Sequence, residues 1–234
     1  MIRWDEAPGP YEVVFSTREG GVSQGPYASL NLGRATADEP DRVNENRRRL
    51  CAEVGAAPDA LAMNYQHHSA DVLRAKTGSR DARGDGIWTD ERGLPVLALA
   101  ADCLPIALAR ANGSQPALAL LHAGWRGLLE GIVPAGVSAL GGHAVAAAVG
   151  PAIGPCCYEV GQDVGDRFRR AFGWGLYRDG RLDLWTVAER ALRAAGCVRV
   201  DRVDLCTACS PARFFSHRRD GGITGRQGVI GRIG

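Results

Sequence analysis

The sequence lacks the features that mark membrane proteins, secreted proteins and nucleic-acid-binding proteins. Its 28 basic and 26 acidic residues are scattered, so no charge of one sign is in excess. No run of about 18 apolar residues could span a bilayer, and the N-terminal segment MIRWDEAPGPYE has acids and prolines where a secretory signal is apolar. We therefore expect a cytoplasmic protein whose partners include no nucleic acid and no membrane.

The sequence also lacks the cysteine density of a disulfide-rich secreted domain. Its seven cysteines are an odd number and are spread from Cys51 to Cys209, so reduced thiols or metal ligands are the better interpretation. Cys206 and Cys209 have the spacing of half a structural zinc site. Cys156 and Cys157 are adjacent, however, which favours buried thiols over a second metal site.

The chain is long enough and apolar enough to form one large domain. It has 234 residues, of which 45% are apolar, and no repeat, low-complexity tract or linker divides it. We therefore treat residues 1–234 as a single domain in which strands and helices alternate.

Two helices are predicted from the residues that begin and end them. The first begins near Pro40 and stops at Gly55, with Asp38 as its candidate cap. The second covers residues 185–195, with Asp183 as its candidate cap. Both have apolar residues at roughly helical spacing, which is typical of helices that pack on a core.

The apolar run LPVLALAADCLPIALAR is interrupted at Asp102 and Cys103. Pro105 follows, and because proline cannot donate a ladder hydrogen bond, it argues against one continuous central strand. Two strand ends are therefore predicted to meet at Cys103.

The hexapeptide HAGWRG follows the apolar strand PALALL, which ends at His122. Apolar residues recur at helical spacing over 128–140, and residues 144–150 are predicted to form another strand. Strand, glycine corner, helix and strand make a βαβ unit, whose corner exposes backbone N–H groups that favour an anion. Arg126 is unfavourable at a helix N-terminus, and either a phosphate or a carboxylate such as Asp102 would compensate for it.

Three side chains of metal-binding type fall at the irregular points of the chain. His68, Cys103 and His122 offer two imidazoles and one thiolate, which suit zinc or copper. Three protein ligands with an open fourth position are the pattern of a catalytic zinc site. The residues lie far apart in sequence, however, and for His122 alone a hydrogen-bonded core histidine is the simpler interpretation. The residues by themselves leave both interpretations open.

Several motifs, in order along the chain, resemble the bacterial laccase-domain family, also known as YfiH-like proteins, multicopper polyphenol oxidases and purine nucleoside phosphorylases. The matching segments are TREGGVSQGPYASLNLG, QHHSADV, GDGIWTD, ADCLPI, HAGWRG, GPAIGPCCYEVG, and CT followed by FFSHRRDGGITGRQ. They extend from Thr17 to Gln227, nearly the whole chain. The resemblance implies an α+β fold, a single domain with mixed β-sheets in a sandwich-like core flanked by helices.

Within this resemblance, His68, Cys103 and His122 match the metal ligands of the family and are its implied catalytic residues. The chain departs from the family pattern beside the first ligand, where the family commonly has valine and glycine and this sequence has His67 and Ser69. His67 is therefore a competing candidate ligand.

The resemblance implies an enzyme of purine nucleoside metabolism. The implied activity is a zinc-dependent purine nucleoside phosphorylase that acts on adenosine, inosine and methylthioadenosine with phosphate, with deamination of adenosine as a further reaction. Copper in place of zinc would imply a polyphenol oxidase (laccase), although five histidines are too few for a multicopper cluster. A hydrolase that edits peptidoglycan precursors and a non-enzymatic, zinc-stabilised binding module are two further candidate functions.

Five residues are candidate substrate ligands under the same resemblance. Arg18, Arg126 and Arg226 lie beside a glycine or in a glycine-rich loop, where backbone can approach an anion. Exposed, solvated side chains are the simpler interpretation for each. Asn31, in the family's leucine-asparagine-leucine motif, and Asp85 are candidate ribose or base contacts, unless they serve only to cap local turns.

Overall fold

The structure, a computed structural model, describes residues 1–111, 115–142 and 144–234. In chain order the strands are β1 (Ile2–Arg3), β2 (Tyr11–Phe15), β3 (Ala62–Met63), β4 (Val72–Arg74), β5 (Gly86–Thr89), β6 (Val96–Ala100), β7 (Leu104–Arg110), β8 (Leu118–Ala123), β9 (Val145–Val149), β10 (Tyr177–Arg178), β11 (Arg181–Leu182), β12 (Arg199–Arg202) and β13 (Gln227–Ile233). The helices are α1 (Pro40–Glu53), α2 (Trp125–Glu130), α3 (Ile132–Ala139), α4 (Gln162–Phe172) and α5 (Leu184–Ala194).

Two mixed sheets form the centre of the molecule. One has five strands in the order β1-β2-β13-β6-β3, and the other has six in the order β12-β9-β7-β8-β5-β4. Strand β7 is antiparallel to both β8 and β9, so β8 and β9 are parallel to each other. The segment between them, which holds α2 and α3, is therefore the βαβ connection that the sequence predicts.

The two sheets pack face to face because successive side chains of a strand point to opposite sides. Val13 and Phe15 of β2 share one buried cluster with Ala107 and Ala109 of β7. On the outer side of the five-stranded sheet, Val14 packs with the apolar residues of α1. The other face of the six-stranded sheet is covered by α2 to α5. This arrangement confirms the predicted α+β fold with a sandwich-like core flanked by helices.

The segment 128–140 is not one helix, which corrects the prediction from its periodicity. Gly131, with a φ of 93°, ends α2 and immediately precedes α3. Glycine adopts this left-handed conformation without the steric cost that a Cβ atom would bring. Apolar spacing continues across the break, so the sequence pattern alone does not reveal it.

Asp38 is not the N-cap of α1. The cap position is Glu39, whose side chain makes no capping hydrogen bond. The Asp38 carboxylate instead accepts hydrogen bonds from Ser23 and Asn31 in the preceding loop. In the described ranges, none of the helices has the length and apolar character that crossing a membrane requires.

Candidate metal centre

His68, Cys103 and His122 come together in space. Their ligand atoms all lie within 4.8 Å of one another. The Sγ atom of Cys103 is 3.9 Å from Nε2 of His68, and the two imidazole rings meet edge to face with 4.9 Å between their centroids. The three residues singled out in the sequence therefore form one cluster.

Two crossings of the chain between the sheets position this cluster. His68 lies between β3 and β4, and Cys103 lies between β6 and β7; in each case the two strands belong to different sheets. His122 is near the end of β8, opposite Pro105 of β7. The crossings turn sharply, with φ values of 68° at His68 and 87° at Asp102. Such left-handed backbone is uncommon outside glycine and concentrates at functional sites.

Asp85 holds two of the ligand residues in place. Its buried carboxylate lies 2.7 Å from Nδ1 of His122 and accepts the backbone N–H groups of His67, His68 and Ser69. Burial opposes ionisation, but the hydrogen bonds from His122, Ser69 and His67 hold the pKa of Asp85 well below its usual range. An ionised carboxylate only accepts hydrogen bonds, so Nδ1 of His122 is the donor. Nε2 is therefore the ring nitrogen that can bind a metal, and it must lose its proton when the metal binds.

Cys103 and His122 are poised as a thiolate and an imidazolium. Burial opposes the charged form of both residues. The imidazoles of His122 and His68 nevertheless lower the pKa of the Cys103 thiol to about 6. The Cys103 thiolate and the Asp85 carboxylate in turn raise the pKa of His122 to about 9. Cys103 is therefore a thiolate at neutral pH, which is the form of cysteine that binds metals.

Gly124 lets the turn after β8 approach the cluster closely. A Cβ atom at this position would lie 2.9 Å from Cδ2 of His68 and 3.0 Å from Sγ of Cys103. The backbone of Gly124 is extended, with a φ of −79°, so any residue could adopt its conformation. Glycine is required here because a Cβ atom would be too close to His68 and Cys103, and not because of the backbone conformation.

The donor atoms and their spacing fit a mononuclear metal site. Zn–N bonds of about 2.0–2.1 Å and a Zn–S bond of about 2.3 Å place the ligand atoms of a tetrahedral zinc about 3.3–3.6 Å apart. The cluster, with its atoms within 4.8 Å, reaches that spacing by small side-chain movements. Two imidazoles and a thiolate suit copper as well, so the donor set defines a candidate metal site without choosing the metal.

A cavity of about 680 Å³ lies beside the cluster, a size that suits a small molecule. His68, Cys103 and His122 all line it, so the position that they leave open faces the cavity. The other lining residues are Gly33, Arg34, Ala35, Thr36, Arg47, Met63, Asn64, Tyr65, Gln66, Arg80, Asp81, Leu99, Ala100, Ala101, Asp102, Tyr158, His217, Arg218 and Arg226. His143 lies outside the described residues.

Four of the lining residues, Arg34, Arg47, Arg80 and Arg226, form what we call the arginine cluster. Arg47 is buried and donates two hydrogen bonds to the Leu32 carbonyl, while its Nη1 atom and the Nε atom of Arg80 have no hydrogen-bond partner in the described ranges. Burial and the positive charges of Arg34 and Arg80 lower the pKa of Arg47 to about 10, so it stays charged at neutral pH. No ion pair among the described residues includes a member of this cluster.

Two of the candidate substrate ligands hydrogen-bond to protein groups. Asn31 is buried, and its side-chain oxygen accepts the backbone N–H groups of Gly33 and Arg226. Asp85 is buried under the metal cluster, where both of its oxygens bind protein groups. Neither residue is among those that line the cavity. In this structure both residues position other protein groups, and a substrate contact by either of them stays a prediction. Asn31 thus has the local capping role.

The three predicted anion-binding arginines lie in different places. Arg226 lines the cavity. Arg18 donates to the carbonyls of Ala28 and Pro211, and Arg126 is exposed, with its guanidinium 4.8 Å from the centre of the neighbouring Trp125 ring. Sequence reasoning missed the other three members of the arginine cluster, because charged residues in a helix and in loops resemble ordinary surface residues.

The two residues that depart from the family pattern contact carboxylates. The ring nitrogens of His67 lie 3.8 Å from Asp71 and 3.6 Å from Asp85. Ser69 donates a side-chain hydrogen bond of 2.9 Å to Asp85. His67 is therefore beside two carboxylates and is not a member of the His68, Cys103 and His122 cluster. Ser69 adds to the hydrogen bonds on the positioning carboxylate.

The prediction of buried thiols holds for Cys206, but Cys157 is only half-buried and Cys156 and Cys209 are exposed. Cys156, Cys157, Cys206 and Cys209 lie together, with their Sγ atoms within 4.8 Å of one another, and Cys156 and Cys209 are exposed. We call this group the four-cysteine cluster. It forms because the parallel strands β9 and β12 are neighbours and their following loops leave the sheet at the same end.

The fold and the site together define a class: an α+β domain of two packed mixed sheets, with a two-histidine, one-cysteine candidate metal site where the chain crosses between the sheets. The chain belongs to the multi-copper polyphenol oxidoreductase laccase family, whose sequence pattern matches residues 12–232.

The similar proteins cover nearly the whole chain. Purine nucleoside phosphorylase PA4543 of Pseudomonas aeruginosa is 39% identical over 91% of this chain and 90% of its own length. Purine nucleoside phosphorylase YfiH of Escherichia coli is 38% identical over 93% and 92%. The crystal structure of YlmD from Geobacillus stearothermophilus superposes with a TM-score of 0.88 at 34% identity, covering 97% of this chain and 93% of that one.

Proposed function

We propose that the protein is a zinc-dependent purine nucleoside phosphorylase that acts on adenosine, inosine and methylthioadenosine and also deaminates adenosine. The observation that carries the proposal is that one cavity joins the His68, Cys103 and His122 cluster to the arginine cluster. Phosphorolysis needs a site for the phosphate anion beside the site for the nucleoside. The names of the Pseudomonas and Escherichia relatives support the same reaction. A cytoplasmic location stays a prediction.

The arginine cluster would bind the phosphate. The free N–H groups of Arg47 and Arg80 can form charge-assisted hydrogen bonds with phosphate oxygens. A buried N–H group without a partner is costly, and a bound phosphate would remove that cost. In the reaction, a phosphate oxygen attacks C1′ of the ribose and the bond from C1′ to the purine nitrogen breaks. The electron pair of that bond passes to the purine, which then takes up a proton.

Tyr158 is suited to support the departing purine. It lines the cavity, and burial together with the negative charge of Cys103 raises its pKa to about 12. Its phenol therefore keeps its proton at neutral pH and can donate a hydrogen bond from Oη to a purine nitrogen that becomes negative as the bond breaks.

His68, Cys103 and His122 would hold the zinc, which when bound supplies a Lewis acid able to polarise a substrate group or to activate water for deamination. The thiolate of Cys103 contributes one negative charge to the site. Asp85 fixes the ring of His122 through Nδ1, so that Nε2 points to the cavity side of the cluster. These residues therefore set the position of the reactive end of the cavity.

The experiment that tests the proposal measures products and metal together. Purified protein is analysed for bound metal and incubated with inosine, adenosine or methylthioadenosine, with and without phosphate, and the products are separated by chromatography. We expect bound zinc, and free base plus ribose phosphate from inosine only when phosphate is present. With adenosine and no phosphate we expect inosine. Cys103→Ala should lose turnover and the zinc bound by His68, Cys103 and His122.

Three results would favour a different function. Bound copper with oxygen consumption on phenols, and no nucleoside turnover, would support the polyphenol oxidase. Hydrolysis of peptidoglycan precursors without need of phosphate would support the editing hydrolase. Zinc that stabilises the fold without turnover of any of these substrates would support a binding module. Each of these results would contradict the proposed phosphorylase.

A further inference from the structure

The four-cysteine cluster lies outside the site described above and joins two loops. Cys156 and Cys157 follow β9, and Cys206 and Cys209 follow β12. The Sγ atom of Cys209 lies 3.4 Å from that of Cys156 and 3.3 Å from that of Cys157. Cys206 meets the first loop through a backbone bridge with Ala152.

Local backbone structure directs the four thiols to one place. The N–H groups of Cys157 and Tyr158 both bond the Gly154 carbonyl, and this tight turn brings two adjacent cysteines toward the same neighbours. The N–H group of Gly154 donates to Sγ of Cys206 at 3.2 Å. Such N–H donors stabilise a thiolate over a thiol.

Packing does not account for this arrangement. Exposed thiols gain little from burial, and two of the four residues, Cys156 and Cys209, are exposed. Four thiols within 4.8 Å of one another are instead the arrangement that one metal ion bound by four cysteines requires.

We propose that the four-cysteine cluster is a second metal site, which binds one zinc ion through Cys156, Cys157, Cys206 and Cys209. In a tetrahedral zinc site with Zn–S bonds of about 2.3 Å, the sulfur atoms lie about 3.8 Å apart. The two shortest separations, 3.3 Å and 3.4 Å, are a few tenths of an ångström below that value, and all four sulfur atoms lie within 4.8 Å of one another. An iron–sulfur cluster spreads its four thiolates over at least two iron atoms, which needs a wider arrangement than this compact group. Four protein ligands close the site, so its role is structural.

A zinc ion at the four-cysteine cluster would stabilise two loops that lie next to the cavity. Tyr158, beside Cys157, lines the cavity, and Thr207, beside Cys206, donates a hydrogen bond of 2.6 Å to Asp102. Asp102 in turn precedes Cys103. Joining the two loops through zinc would therefore fix both Tyr158 and the crossing that carries Cys103. The inference does not depend on the reaction proposed above.

The test counts metal in the full chain prepared under reducing conditions. We expect two zinc ions per chain in the wild type and one in Cys209→Ser or Cys156→Ser. Cys197→Ser, which changes a half-buried thiol outside the cluster, should keep two. Cobalt in Cys103→Ala should give the intense charge-transfer absorption of a tetrathiolate site, which Cys103→Ala combined with Cys209→Ser should lose.

Two results would overturn the inference. One is an unchanged metal count in folded Cys209→Ser and Cys156→Ser proteins, with folding checked by far-ultraviolet circular dichroism. The other is an intact mass two or four hydrogens low in the reduced preparation, with peptide mapping that places disulfides within the cluster. If a single variant fails to fold, two measurements still test the proposal: the number of zinc ions in the wild type, and the cobalt spectrum of Cys103→Ala.

Discussion

The Nδ1 atom of His122 lies 2.7 Å from Oδ1 of Asp85, and the same oxygen accepts the backbone N–H group of His68 at 2.9 Å. One buried carboxylate thus orients ligand residues that lie on two different parts of the chain. Metal-binding histidines usually have such a hydrogen bond from the ring nitrogen that does not face the metal.

Asp85→Asn should weaken zinc binding at the His68, Cys103 and His122 cluster by about 10–100-fold, because it removes the charge that orients the His122 ring. The measurement is competition with a chelator of known affinity. Asp71→Asn is the matched control, since Asp71 is exposed and contacts His67 instead. Equal zinc affinity in Asp85→Asn and the wild type, with both proteins folded, would refute the positioning role.

In metal-free protein, Cys103 should react with iodoacetamide down to lower pH than other cysteines. Its folded pKa is lowered to about 6, so the reactive thiolate persists above that pH and is lost as the pH falls through it. Cys197, whose pKa burial raises to about 11, is the internal comparison. The measurement is peptide mapping across a pH series, and bound zinc should protect Cys103. A rate at Cys103 that rises only above about pH 8, where an ordinary thiol ionises, would contradict the thiolate.

Gly124→Ala should disturb the metal cluster because its Cβ atom would press on His68 and Cys103. We expect a loss of zinc affinity of at least about tenfold, equivalent to about 1.4 kcal/mol. Gly161→Ala is the control: Gly161 is also an extended N-cap glycine, and a Cβ atom there meets the end of the Asp163 side chain, which can rotate away. Chelator competition on both variants would measure the difference. A similar loss of zinc affinity in both variants would show that the change comes from replacing an N-cap glycine, and not from the contact of the new Cβ atom with His68 and Cys103.

Arg47→Met should raise the KM for phosphate by about 10–100-fold, since a hydrogen bond to a charged group contributes about 1.5–3 kcal/mol. The KM for the nucleoside should change little, which separates loss of an anion site from general damage. Arg110→Met is the control, because Arg110 also donates twice to one carbonyl, that of Leu140, but lies outside the cavity lining. Steady-state kinetics with each substrate varied in turn provides the measurement. Parallel changes in both KM values would count against the arginine cluster as the phosphate site.

Much of the local structure could be predicted because its causes are local. Asp183 caps α5 by accepting the N–H group of Thr186 at 3.0 Å, as its position before an apolar helical pattern indicates. Pro105 correctly indicates the strand break at Cys103. The break at Gly131 escaped prediction because apolar periodicity continues across it, and the choice between one helix and two depends on packing against the sheet.

The arginine cluster shows where sequence reasoning ends. Arg34, Arg47 and Arg80 belong to separate segments, and each looks like a solvated surface residue in its own context. They become a site only because the loop before α1, the helix itself and the loop between β4 and β5 border the same cavity. The same limit applies to the four-cysteine cluster, whose members come from the loops after two parallel strands.

The sequence by itself determined the kinds of ligand and their places at strand ends, because residue chemistry, proline and glycine act over a few residues. Through its motifs it also determined the family. The tertiary structure decided which distant groups meet: the order of strands in two packed sheets sets where each crossing passes. Those contacts bring His68, Cys103 and His122 together over Asp85, and they place the arginine cluster beside them. Burial and proximity are properties of the folded chain and not of any segment.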